Sequence, residues 1–216
     1  MNNRIVILIM ALSSSAMTNL GQSLETKKLE FLIGKIQAFH QGKLVYQDSS
    51  YQHIQSLPFN LHQGIDCITD SIQFQLGVDS LQHEQGIIHN GLTPTNGMYW
   101  AWQSGYIFVK WEGVIKNGNG NGNGNGNGNG NGNGIENGIE FSPYTFHLGG
   151  FQYPFRCDQQ CAFRLEKPKK ISEIALYFEP TKELIRFVKK SDLEIMSPQP
   201  AAVKMMKLFS QCLIVQ

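Results

Sequence analysis

The chain has 216 residues, 41% of them hydrophobic and 11% aromatic, so it can build the core of one good-sized domain or two small ones and is not disordered throughout. It carries 18 Lys and Arg against 17 Asp and Glu, a formal net charge of +1 at pH 7. A charge this close to zero gives no global field that would attract a polyanion, which argues against nucleic acid as the main partner.

The first 23 residues have the order of a secretory signal peptide. Arg4 precedes the apolar stretch IVILIMAL at 5–12, and small residues follow it. We expect cleavage between Ala16 and Ser23, which removes Arg4 and leaves 17 Lys and Arg against 17 Asp and Glu. The apolar stretch is too short to span a bilayer and no later stretch is longer. The sequence therefore predicts a secreted or periplasmic protein with no integral membrane segment.

Strand patterns follow the signal region. The sequence predicts a strand from residue 27, a turn at 41–43, a second strand at 44–46 and a further extended segment near His53. In residues 71–80, apolar and polar side chains alternate, which is typical of a strand with one buried face.

The second half of the chain continues this pattern. A longer strand is predicted at 105–115, with 141–151 as its partner. Two more strands are predicted at 171–178 and 183–188, on either side of a turn, and a helical face is found only at 201–209. The sum is an all-β fold, an antiparallel β-sandwich or barrel with one short C-terminal helix.

A low-complexity insert separates two of these strands. Residues 117–134 are nine consecutive Asn-Gly dipeptides. One Asn-Gly pair suffices for a tight hairpin turn, whereas nine contain no apolar residue that could offset the entropy of ordering. We therefore expect a flexible hairpin loop at 117–134 within a single β domain at 24–216.

The aromatic residues are concentrated in residues 97–113, GMYWAWQSGYIFVKWEG, which contain all three tryptophans. If this stretch is extended, Trp100 and Trp102 point to one face while Tyr99 and Ala101 point to the other. Such rings are commonly core residues of a strand. The alternative is a stacking platform for a sugar or another flat ligand.

Four cysteines occur in a chain that the signal pattern assigns to an oxidising compartment. Three pairings are possible. We favour a disulfide between Cys157 and Cys161, four residues apart, which leaves Cys67 and Cys212 to pair if the fold brings them together. A single CxxxC without a second pair is weak evidence for zinc.

Motifs of known enzyme classes are absent from the sequence. It contains no GxSxG elbow, no HExxH, no P-loop and no dinucleotide-binding glycine pattern. Asp79 follows a predicted strand and is interpreted as a turn-stabilising residue rather than a base. The sequence therefore favours a protein that is not an enzyme and has no catalytic residues.

Three motifs together resemble the MbnP-like family. They are FQLGVDS at 74–80, the block GLTPTNGMYWAWQSGYIFVKWEG at 91–113, and FHLGGF at 146–151. The family consists of secreted proteins named for a copper-binding periplasmic member that is encoded beside methanobactin genes. The resemblance covers residues 27–216.

The resemblance implies a copper site. Family members hold copper with histidines and an oxidised tryptophan, which a di-haem enzyme related to cytochrome c peroxidases produces. On this sequence the WxW motif falls on Trp100 and Trp102, and the histidine of the HLG element is His147. The resemblance places a second ligand at His53, which His89 could replace. Neutral imidazole is a good copper ligand near pH 7.

Two functions remain open. In the first, the protein is a secreted copper-binding carrier or store, with copper as its cofactor and a di-haem peroxidase-like enzyme as its partner. In the second, it is an extracellular β-sandwich that recognises a ligand or serves a structural role without a metal. Replacing His147 with alanine separates them, because only the first predicts a loss of copper binding.

Overall fold

The computed structural model describes residues 22–61, 66–84, 92–102, 105–117, 134–136 and 139–216. The expected signal peptide at 1–23 lies outside this part of the chain except for its last two residues, Gln22 and Ser23, which pair with Asn117 and Lys116. Most of the Asn-Gly insert and His89 also lie outside it.

The described residues form thirteen strands and three α-helices. The strands are β1 (Gln22–His40), β2 (Lys43–Ile54), β3 (Phe59–Asn60), β4 (Ile68–Leu76), β5 (Tyr99–Trp100), β6 (Gly105–Tyr106), β7 (Val109–Asn117), β8 (Gly134–Glu136), β9 (Ile139–Leu148), β10 (Gln159–Lys170), β11 (Ala175–Phe178), β12 (Glu194–Ile195) and β13 (Leu213–Val215). The helices are α1 (Ser80–Glu84), α2 (Lys182–Lys190) and α3 (Pro200–Ser210).

Eight strands form the main sheet, in the order β10-β4-β1-β7-β9-β12, with β2 beside β1 and β8 beside β9. The long strand β1 organises it, because its first half pairs with β7 and its second half pairs with β2 on one side and β4 on the other. The register of β1 shifts at Lys35, which has a φ of 52°. Gly34 precedes this bulge, and a side chain there would collide with the Tyr51 ring.

The predicted hairpin of β7 and β9 is confirmed. The two strands pair antiparallel along their length, with Trp111 opposite Phe146 and Lys110 opposite His147. The turn predicted at 41–43 is also confirmed in essence, since β1 ends at His40 and β2 begins at Lys43. The two separate extended segments predicted at 44–46 and near His53 are one continuous strand, β2.

The core lies between the main sheet and a second layer, made of the small sheet β13-β11-β3 together with α3. Trp111 of β7 is fully buried, and its ring centroid lies 5.6 Å from that of Phe178 in β11 and 6.3 Å from that of Phe209 in α3. Phe178 and Phe209 stack on each other at 4.5 Å. This two-layer arrangement confirms the predicted all-β sandwich, and α3 confirms the predicted C-terminal helix.

The strand predicted at 183–188 is wrong, because this segment lies in helix α2. The Thr181 side chain accepts a hydrogen bond from the Leu184 backbone N–H and caps the helix. Leu184 and Val188, four residues apart, are buried while the residues around them remain more exposed. A short apolar segment read without its cap does not distinguish a helix from a strand.

The predicted disulfides are not formed, since all four cysteines are free thiols. Three of them are buried, and two make local contacts through sulfur. The Cys157 thiol points to the Phe155 carbonyl at 3.5 Å, and Cys212 Sγ accepts from the Thr181 backbone N–H at 3.3 Å. Burial raises the pKa of the Cys157 and Cys161 thiols to about 12, which keeps them protonated.

Candidate functional site

The WxW segment forms a hairpin rather than part of one long strand. Trp100 in β5 pairs with Gly105 in β6, and β7 begins only at Val109. We call residues 98–102 and 105–106 the WxW hairpin. Because the chain turns after Trp100, the expectation that both indoles share one face of an extended strand is wrong: Trp100 is 5% exposed and Trp102 is 69% exposed. Their rings remain neighbours, with centroids 5.9 Å apart.

The buried indole of Trp100 packs on the chain just after the HLG element. A side chain at Gly149 would come within 2.9 Å of the Trp100 ring and would also collide with the Tyr106 carbonyl. Glycine is therefore required for this close approach. Trp100 Nε1 is buried and has no hydrogen-bond partner among the described residues. An unpartnered buried donor is costly, which makes this ring an unusual core residue.

His147 lies two residues before Gly149, near the end of β9. Its side chain is 12% exposed, and its Nε2 lies 2.8 Å from Glu112 Oε1 on the neighbouring strand β7. In a neutral imidazole, a carboxylate beside one ring nitrogen favours the tautomer that carries its proton there, and the other nitrogen then has a lone pair. This is the arrangement commonly found for a histidine that binds a metal.

His53 lies on β2, the strand that pairs with the second half of β1. It is opposite Leu32, and its Nε2 lies 3.4 Å from Glu30 Oε2 without hydrogen-bond geometry. Burial lowers the pKa of His53 and the Glu30 carboxylate opposes this effect only in part. The imidazole is therefore mostly neutral near pH 7, as a metal ligand must be.

Four polar side chains cross the main sheet from β2 to β9. This polar row consists of His53, Glu30, Lys110 and His147. Glu30 on β1 is opposite Lys110 on β7, and Lys110 is opposite His147 on β9. His53 lies beside Glu30. Burial and the nearby Lys28 ammonium lower the pKa of Lys110. Lys110 also lies under the start of the WxW hairpin, since its Nζ would be 3.7 Å from a side chain at Gly97.

The polar row does not bring the two predicted histidine ligands together. Strands β1 and β7 separate β2 from β9, so three steps of about 4.8 Å place the backbones of His53 and His147 about 14 Å apart. Lys110 stands between them. Within the ranges that the structure describes, no three or more His, Cys, Asp and Glu side chains are grouped so that they could hold a metal ion. His53 and His147 therefore do not fit one ion in this arrangement.

The other three predicted site residues do share one part of the molecule. Trp100 packs on Gly149, two residues beyond His147, and Trp102 contacts Trp100. Together they offer one histidine nitrogen oriented by Glu112, one buried indole and one exposed indole. Glu112 was missed at the sequence level, although its position opposite Thr145 and diagonal to His147 follows once the β7–β9 register is known.

A second polar cluster was also missed. The Asp79 carboxylate contacts the Lys35 ammonium, accepts a hydrogen bond from the Tyr51 hydroxyl at 2.9 Å and accepts another from the Gln82 backbone N–H at 3.0 Å. The last contact caps helix α1, which agrees with the interpretation of Asp79 as a turn-stabilising residue. The long-range partners could not be read from the sequence, because Lys35 and Tyr51 come from β1 and β2.

His83 of helix α1 is held as a neutral imidazole by this cluster. Its Nε2 accepts a hydrogen bond from the Tyr106 backbone N–H at 3.2 Å, so its Nδ1–H donates to the Asp79 carbonyl at 3.1 Å. The ring stacks on Phe151 with centroids 4.1 Å apart. Burial lowers the pKa of His83, and the Asp79 groups oppose this shift only in part. His83 therefore contacts the WxW hairpin through Tyr106.

We expect the fold to lose stability as the pH falls below 6.5. The folded pKa of His83 is lower than its unfolded value of 6.5, so the contribution of neutral His83 is complete above pH 6.5 and is lost as the pH falls through the folded pKa. Urea unfolding of the protein and of His83→Gln should therefore show a weaker pH dependence in the variant. Equal slopes in the two proteins would contradict this role.

Comparison with known proteins gives one match. No curated protein and no solved structure matches the chain. No helix in the described ranges is long and apolar enough to cross a membrane. The model of one protein family, MbnP, matches residues 8–195, and on that match the chain belongs to the MbnP family.

Proposed function

We propose that this protein is an exported copper-binding protein that acts as a carrier or store. Membership of the MbnP family supports a copper-related function. The observation that carries the proposal is that His147 lies two residues before Gly149, on which Trp100 packs, with its Nε2 2.8 Å from Glu112 Oε1. His147 would supply one imidazole ligand, and copper accepts such a nitrogen readily.

His53 has a separate role in this proposal. Its distance from His147 across two strands excludes direct sharing of one ion in the described arrangement. His53 would join the site only if β2 moved towards β9, and otherwise it lies 3.4 Å from Glu30 at one end of the polar row. His89, outside the described residues, is the alternative second ligand.

The two tryptophans differ in their suitability as substrates of a partner di-haem enzyme. Trp102 is 69% exposed and can be reached by a large oxidising partner, whereas Trp100 is 5% exposed. Trp102 is therefore the ring that we propose is modified, and Trp100 is proposed to support it. Native mass spectrometry with peptide mapping, on protein exported by its own organism, tests this. Bound copper with an intact Trp102 would contradict the assignment.

Replacing His147 with alanine is expected to weaken copper binding by more than about 100-fold, because a lost ligand should exceed the effect of a lost supporting group. Cu(I) affinity is measured by competition with a chromophoric chelator, and circular dichroism checks the fold. His40→Ala is the matched control, since His40 lies at the end of β1 beside Asp70. An unchanged affinity in His147→Ala would remove His147 from the site.

Replacing Glu112 with glutamine is expected to weaken copper binding by about 10- to 100-fold. The amide can still contact His147, but it no longer stabilises one tautomer as a carboxylate does. Glu25→Gln is the control, because Glu25 forms an exposed ion pair with Lys116 further along the same sheet. If both variants bind copper like the unmodified protein, Glu112 does not act through His147.

One observation favours the second candidate function, a recognition module without metal. Trp102 is exposed beside Trp100, which is the geometry of a stacking surface for a flat ligand. A carboxylate also lies beside each histidine, Glu30 at 3.4 Å from His53 and Glu112 at 2.8 Å from His147, as in a purely structural network. Failure of the unmodified protein to bind Cu(I) or Cu(II) would favour this function.

A further inference from the structure

Helices α2 and α3 enclose a groove of about 550 Å³ that plays no part in the proposed copper site. Each helix contributes one stripe of side chains, spaced by three or four residues so that the members share a face. The stripe of α2 includes Arg186, Phe187 and Lys190, and the stripe of α3 includes Lys204 and Leu208. We call this cavity the α2–α3 groove.

The floor of the α2–α3 groove is apolar. Phe187, which is only partly buried, and Leu208 both line the groove. Lys204 Nζ lies 5.0 Å from the centroid of the Phe187 ring, within the range of a cation–π contact. The Phe187 ring therefore lies next to a cation. An apolar or aromatic group that enters the groove would meet Phe187 while its neighbours meet cations.

The charges around this floor are unbalanced. Arg186, Lys190 and Lys204 are exposed, and none of them forms an ion pair with a carboxylate in the described part of the chain. Two carboxylates, those of Glu183 and Asp192, also line the groove. Since the protein as a whole is nearly neutral, this excess of positive charge is a local feature.

We propose that the α2–α3 groove binds an acidic peptide segment of a partner protein. An aromatic or large apolar side chain of that segment packs on Phe187, and flanking carboxylates bind Arg186 and Lys204. The Arg186 guanidinium suits a carboxylate because its planar donors can bind both oxygens. The volume lies within the range of known ligand sites, about 300–1,000 Å³, and accommodates a few side chains.

The test uses a fluorescein-labelled pentapeptide, DDFDD, and the full chain. Fluorescence anisotropy should show saturable binding that weakens as salt is added, because exposed charges are screened. Reversing two charges, Arg186→Glu with Lys204→Glu, should weaken binding by about tenfold or more. The matched control reverses two exposed lysines elsewhere, Lys43→Glu with Lys167→Glu, and should bind the peptide nearly as well as the unmodified protein. Circular dichroism verifies the fold of both variants.

Several outcomes would overturn the proposal. Absence of saturable binding would do so, as would equal binding of the peptides KKFKK or DDADD, since the first tests charge and the second tests the aromatic contact. An equal loss in the control variant would show a non-specific charge effect. Binding to phosphatidylserine vesicles without binding of DDFDD would assign the groove to a membrane surface. A dimer that dissociates in Arg186→Glu, seen by sedimentation velocity, would assign it to a second copy of this chain.

Discussion

Replacing Trp111 with alanine is expected to reduce the free energy of unfolding by about 3–5 kcal/mol. Trp111 is fully buried at the centre of the core, where its ring contacts Tyr144 at 5.4 Å and Phe146 at 6.0 Å besides the second layer. Its Nε1 donates a hydrogen bond to Thr26 Oγ1 at 2.9 Å, which ties β7 to β1. Truncation leaves a cavity between two rigid layers, and neither layer can collapse easily to fill it. It also removes the Trp111 donor from the Thr26 hydroxyl, which keeps its contact with the Tyr144 hydroxyl at 3.3 Å.

Urea unfolding provides the measurement, and Trp102→Ala is the matched control. Trp102 is 69% exposed, so its loss should change the free energy of unfolding by about 0.5 kcal/mol or less. The two variants remove the same residue type from residues 97–113, so the difference between them measures the effect of burial in the core. Similar losses in the two variants would contradict the assignment of Trp111 to the centre of the core.

Replacing Asp79 with alanine is expected to reduce the free energy of unfolding by about 2–3 kcal/mol. The substitution removes the cap of α1 and leaves the buried Tyr51 hydroxyl without its partner. Lys35 contributes less, because its side chain is 45% exposed and its ammonium can be hydrated once Asp79 is gone. Asp66→Ala is the control, since Asp66 is 78% exposed in its ion pair with Lys170 and should contribute little.

Acid unfolding provides a second measurement on Asp79. Burial alone would raise its pKa, but the Lys35 ammonium, the Gln82 N–H and the Tyr51 hydroxyl outweigh burial and hold the pKa below its usual 3.8. The contribution of the carboxylate is therefore present above pH 3.8 and is lost as the pH falls through the folded pKa. Asp79→Asn should flatten this acid transition. An unchanged acid transition in Asp79→Asn would mean that the network does not depend on the charge.

Strand positions were predictable where the local pattern was unambiguous. Alternation with a period of two identified the buried face of β4 correctly, and Ile72, Phe74 and Leu76 are all fully buried. The same reasoning failed for α2, because the six residues at 183–188 show too little periodicity to separate a helix from a strand. The reasoning also failed for Trp102. The chain turns after Trp100, so the side chains of Trp100 and Trp102 do not follow the alternation of one extended strand.

The sequence by itself determined the family motifs, the apolar face of most strands and the position of the C-terminal helix, since each depends on residues close together in the chain. Only the tertiary structure decided which polar groups meet. Glu112 lies beside His147 because β7 and β9 pair in one register, and His53 lies far from His147 because β1 and β7 intervene. The lateral order of strands is set by packing the whole core, and no local period encodes it.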